Sequence, residues 1–242
     1  MSRDPLAWLA ELEGVSSALA ATRDGIDVML RDRGLRRTSP ETTAESLARG
    51  AHASAVLEGS TSGLADLSEG RGDAVAQDAL RLSAVLLGNA PLLGSAPLQA
   101  LARLHAVAAA TSLPEEQLGR PRDAASAALL RRVADLLLAP TEAPALLVAA
   151  VAHAEIATGE PFGSHNGMVA RAVERLVLVA RGVDSKSLVV PEAGHLALRP
   201  QYESNLRGYR DGGERGAHAW ALYAAEAFAA GAEASPLRRG PA

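Results

Sequence analysis

One segment of the chain gathers the residues that could do chemistry: Glu160-Pro161-Phe162-Gly163-Ser164-His165-Asn166-Gly167-Met168-Val169-Ala170-Arg171. Asn166 and Gly167 stand where a helical pattern begins, and the first turn of a helix leaves backbone N–H groups without intrahelical partners. Such a terminus attracts anions through those groups and the helix dipole, with no side chain required. Arg171 follows about one turn later, where its guanidinium can reach a phosphate oxygen. The chemistry this spacing suggests is the holding of a small anion. Glu160 adds a possible proton acceptor, although a carboxylate at about 4.3 is a weaker base than an imidazole at about 6.5 unless burial raises it. The plainer reading is that Asn166 and Gly167 cap a helix and Arg171 is a surface charge.

Glu160 and His165 share the loop and His153 precedes it, which invites a metal-site reading. The three lack the compact spacing of a ligand set, so no metal is expected and a loop hydrogen-bond network is the simpler account. His52, His105, His195 and His218 are isolated in sequence and read as satisfied core or surface groups. Trp220, Tyr223 and Phe228 read as core, and the Arg-rich stretch 33–37 as a solvated face.

These residues must be placed by helices. The 242-residue chain is 48% hydrophobic but only 3% aromatic, so its core must be built from Ala, Leu and Val, which favours closely packed helices over sheets. Helices are predicted near 5–12 and 15–33. The next begins after Ser39-Pro40, where Ser39 can cap and Pro40 can take the first helical position, and runs to Glu58 with Gly59 as its stop. Others are predicted near 72–87 and 95–110, followed by a loop over Thr111–Pro121. From about 123, Leu129, Leu130, Val133, Leu136 and Leu137 form the stripe of a core-facing helix. The almost wholly apolar segment 144–158 predicts a central buried helix, too short to span a membrane. The loop then connects it to a helix marked by Val169, Val173, Leu176, Val177 and Ala180. Residues after Arg181 through Leu198 read as irregular, with helices at 200–211 and 215–232.

A net charge of −4 argues against nucleic acid or an anionic membrane as partner. No stretch is long and apolar enough to span a membrane. The absence of Cys rules out disulfides and thiolate metal sites and fits a cytoplasmic location, as does an N-terminus without an export signal.

The segment resembles the signature of the Fic (Fido) family: His-Pro-Phe, one free position, an acid, Gly-Asn-Gly-Arg, two free positions, Arg. Pro161-Phe162, Asn166-Gly167 and Arg171 match it. Glu160 stands at the catalytic His, Ser164 at the metal-binding acid, His165 at the first Gly and Met168 at the first Arg. Leu101-Ala102-Arg103-Leu104-His105, His153-Ala154-Glu155-Ile156 and Tyr202, Leu206, Trp220 and Phe228 extend the similarity over roughly residues 40–232. Ser54-Ala55-Val56-Leu57-Glu58-Gly59 is similar to the family's inhibitory motif, whose Glu pairs with the last Arg of the signature and blocks the γ-phosphate of ATP.

The resemblance implies an all-α, single-domain Fic-type helical bundle with extra N-terminal helices. Residues 1–38 would be a helical extension, 39–232 the Fic-like domain with an inhibitory-type helix over 40–59, and 233–242 a disordered tail. Active members transfer AMP from Mg²⁺-ATP to a protein hydroxyl. Here the base, the metal ligand and the first Arg are replaced, and no room remains for the family's target-docking hairpin before Asp123. A carboxylate at Glu160 about 4 Å from a phosphate charge would cost roughly 4 kcal/mol per unit charge at an effective dielectric of 20. The expectation is therefore a catalytically degenerate binding or regulatory protein with no cofactor. It would bind a protein partner or a small anionic ligand at the remnant His165, Asn166, Gly167 and Arg171, with Ser54, Glu58 and Gly59 as inhibitory motif, and homo-oligomerisation is left open. The alternative is a nucleotide-dependent transferase in which Glu160 replaces the catalytic His and ATP with Mg²⁺ is used.

Overall fold

The computed structural model describes residues 4–32 and 39–238. Among them every regular element is helical: α1 (Ala7–Ala10), α2 (Val15–Asp32), α3 (Pro40–Leu57), α4 (Leu64–Ser68), α5 (Ala74–Leu86), α6 (Ala90–Ser95), α7 (Pro97–Ala108), α8 (Ala124–Leu138), α9 (Ala145–Gly159), α10 (Asn166–Ala180), α11 (Pro191–Ala197), α12 (Arg199–Asp211) and α13 (Gly213–Glu233). The Arg-rich stretch 33–37 lies outside the described residues.

The apolar α9 is the axis of the bundle, buried without a break from Leu146 to Ala154. Its alanines let α10, α8, α12 and α13 pack against it on all sides. Trp220 is wholly buried and donates from its indole nitrogen to the Ala150 carbonyl at 2.8 Å, which fixes α13 on α9. Tyr223 and Phe228 are buried on the same helix, as core residues should be. Asp73 and Asp123 cap α5 and α8 by accepting from Ala76 N–H and Ser126 N–H, contacts that stabilise a helix by about 1 kcal/mol each. Ser39 holds the N-cap place of α3, but its hydroxyl contacts that of Thr42 and makes no backbone cap.

Three sequence expectations are corrected. The stretch read as irregular after Arg181 contains α11, a short helix whose existence depends on tertiary contact. A Cβ on Gly194 would meet the Ala227 carbonyl oxygen at 2.0 Å, so the missing side chain is what lets α11 lie against α13. The end of the chain is ordered further than expected: Pro236–Arg238 form a 3-10 turn, with Ser235 and Pro236 buried, and residues 239–242 lie outside the described residues. The short α4 and α6 were not predicted either. The N-terminal helices pack on the bundle as part of one domain: Leu6, Leu9, Leu19 and Ile26 join the main core and Thr22 donates to the Ala225 carbonyl on α13.

Candidate functional site

α9 ends at Gly159, and Glu160 takes the left-handed conformation that closes a helix, with φ +43° and its N–H on the Ile156 carbonyl. Its side chain is exposed. Phe162 turns inward and stacks flat on His105, ring centroids 4.2 Å apart. Asn166 then folds back on it: Oδ1 accepts the Phe162 N–H at 2.9 Å and Nδ2 donates to the Phe162 carbonyl at 3.0 Å. The Asn side chain therefore staples the loop and is not free to meet a ligand.

His165 is the N-cap of α10 and also left-handed, with φ +56°. Its Nδ1 lies 2.7 Å from Ser164 Oγ and its Nε2 lies 2.9 Å from Asp78 Oδ2 on α5. Thr111 and Ser112 also donate to Asp78, and Arg81 pairs with it. Burial would push the Asp78 carboxyl up, but the contacts with His165, Thr111 and Arg81 outweigh it and hold the group below the usual carboxylate range. With Asp78 ionised, the Nε2–H tautomer of His165 donates to it, and in that tautomer Nδ1 accepts from the Ser164 hydroxyl. Burial pushes the His105 imidazole down to about 4, with His165 adding in the same direction, and its Nδ1 accepts the Gly119 N–H at 2.9 Å.

Arg171 is no surface charge. It is 2% exposed, and every nitrogen of its guanidinium is used. Nε donates to Ser54 Oγ at 2.9 Å, one terminal nitrogen to Tyr202 OH at 3.2 Å, and the other to Glu58 Oε1 at 2.6 Å and the Ser54 carbonyl at 3.3 Å. Burial disfavours the cation, but Tyr202 and Glu58 raise its pKa above the ordinary value. Glu58 is the C-cap residue of α3, followed by a left-handed Gly59 at φ +96°. Its carboxylate lies against the first turn of α10, so close that a Cβ on Gly167 would meet Oε1 at 2.2 Å. Ser54, Glu58, Gly167 and Arg171 are thus brought together. Met168 is buried among apolar residues, and Glu160 stands apart.

The candidate metal trio is not assembled. Glu160 is exposed, His165 is bound to Asp78, and His153 is buried elsewhere. His153 belongs to a polar network that the sequence did not reveal. Its Nε2 lies 2.9 Å from Tyr202 OH and its Nδ1 3.1 Å from Glu174 Oε2; the same oxygen lies 2.8 Å from His195 Nε2, and His195 Nδ1 2.8 Å from Tyr223 OH. Burial alone would raise the Glu174 carboxyl, but His195 and His153 hold it down at about 2. Burial pushes His153 down to about 4, so its imidazole is neutral at pH 7. Arg171, Glu174 and Arg175 lie on a helix whose residues Met168–Leu178 are all buried, and buried charges require partners.

Arg175 makes the second such set, donating to Ser46 Oγ, to Ser187 Oγ and its carbonyl, and to Glu192 Oε2 at 3.0 Å.

No family model and no curated protein matches the chain. Solved structures do. A Fic family protein from Desulfovibrio desulfuricans G20 superposes with a TM-score of 0.76 at 16% identity, over 96% of this chain and 76% of the other. The fold is that of the Fic proteins. Fic-1 from C. elegans agrees, with a TM-score of 0.62 at 17% identity, covering 88% of this chain and 69% of its own. At such identities the likeness to Fic proteins carries the architecture, and any activity must be argued from the residues described above. No helix among the described residues is long and apolar enough to cross a membrane.

Proposed function

We propose that this Fic-fold chain is a binding or regulatory protein without AMP-transferase activity, catalytically degenerate at Glu160, Ser164 and Met168. One observation carries the reading: Arg171, the cation left from the signature, is fully engaged by Ser54, Glu58 and Tyr202, while the Glu58 carboxylate lies against Gly167. A carboxylate at a helix N-terminus stands where an anionic ligand would be attracted, so Glu58 acts as an internal competitor. A phosphate seated there would have to displace it and would meet like charge if it did not. Glu160 is exposed and stands apart from the residues around Arg171. The ligand is a small anion or a protein partner in the cytoplasm, and self-association belongs to the same proposal.

Titration calorimetry with Mg²⁺-ATP, paired with a labelled-AMP transfer assay, tests it. Wild type should neither bind the nucleotide tightly nor label protein. A variant carrying Glu160→His, Ser164→Asp, His165→Gly, Met168→Arg and Glu58→Gly should gain nucleotide binding. Transfer by wild type that Glu160→Ala abolishes would establish the transferase alternative.

A further inference from the structure

Glu174 is wholly buried midway along α10, and its charge partners are two imidazoles, not an arginine or lysine. The contact with His195 is an ordinary hydrogen bond, but the one with His153 is not. His153 Nδ1 lies 3.1 Å from Glu174 Oε2, yet it has no partner in hydrogen-bond geometry, and neither has Glu174 Oε1. Two buried polar atoms without partners are a substantial penalty if nothing else is bound there. A short contact off the hydrogen-bond line, beside an unused carboxylate oxygen, is the arrangement of ligands aimed at a point between them.

The three ligand atoms lie within 4.8 Å of one another. Around one tetrahedral ion with bonds of about 2.0–2.2 Å they would stand about 3.3–3.6 Å apart, so no separation needs to change by more than about 1.5 Å. The far nitrogen of each ring already has its orienting partner, Tyr202 OH on α12 for His153 and Tyr223 OH on α13 for His195. Ligating histidines are held in this way, with the outer N–H donated to a fixed oxygen. The rings are also packed on one another and on Trp220.

We infer that His153, Glu174 and His195 form a buried structural site for one divalent transition-metal ion, zinc by the chemistry of its donors. Two imidazole nitrogens and a carboxylate suit zinc among the common biological metals, and both oxygens of Glu174 would complete four donors. The ion would join α9, α10 and α11 at one point. It is separate from the loop and from the anion site, although Tyr202 OH touches both His153 and Arg171.

The full chain, produced in zinc-supplemented medium and freed of loose metal by gel filtration, should carry an equimolar amount of zinc by mass spectrometry. Refolding with Co²⁺ should give visible d–d absorption. Glu174→Gln and His195→Asn should each lose the metal about tenfold or more, whereas His52→Ala should retain it. Should those variants not fold, Tyr223→Phe keeps all three ligands and should weaken zinc about tenfold in competition with a chelator. A folded wild type without stoichiometric metal or a cobalt band would overturn the proposal and leave a shared proton as the link. Zinc retained equally by both ligand variants, or an affinity unmoved in Tyr223→Phe, would overturn it as well.

Discussion

Arg171 and Arg175 stand about one turn apart on α10, and each reaches α3, Arg171 at Ser54 and Arg175 at Ser46. Each donates to a serine hydroxyl and to that serine's carbonyl, and each pairs with one glutamate. The glutamates differ. The Glu192 side chain is 6% exposed, whereas that of Glu58 is 32% exposed and sits at the end of a helix. Arg175 is closed into the structure on every side, while Arg171 is closed by a lid one residue wide. The two arginines brace α3 in the same way, and what separates them is the Tyr202 contact of Arg171 and the exposure of Glu58.

Three substitutions would break or sharpen that contrast. Arg175→Met should have the largest effect, since it leaves Glu192 buried and unpaired; a loss of about 3–5 kcal/mol is expected in urea denaturation. Arg171→Met should lose less, about 2–3 kcal/mol, because Glu58 can regain water. Equal losses would mean that the exposure of Glu58 has no energetic weight. Glu58→Ala should lose about 1–2 kcal/mol, since Arg171 keeps Ser54 and Tyr202 and becomes reachable by solvent. Inorganic phosphate should restore part of that loss in the variant and leave wild type unmoved, read as a shift in thermal midpoint.

The long helices were legible because their apolar stripes or runs were long, as with Leu129, Leu130, Val133 and Leu137 of α8 or the unbroken apolar α9. α11 was not, because seven residues carry little periodicity and its place depends on Gly194 meeting α13, a contact between residues far apart in sequence. In the site, the pairing of Glu58 with Arg171 was legible as two short motifs in the expected order. The burial of Arg171 was not, since it follows from Tyr202 and Ser54 converging from two other helices. The cluster of His153, Glu174 and His195 lay beyond reach for the same reason: its members come from three helices, and each looks like an isolated polar residue in its own segment.

Glu160 and His165 place left-handed, non-glycine residues at both ends of the loop, conformations that each cost on the order of 1–2 kcal/mol. Asn166 staples the loop at Phe162, and Asp78 holds His165. The loop is consequently preorganised. A ligand arriving at the start of α10 would lose no entropy in ordering it and gain nothing from an induced rearrangement. Selectivity at this terminus would then be decided by a single exchange, the incoming anion against one tethered carboxylate whose effective concentration is set by the end of α3.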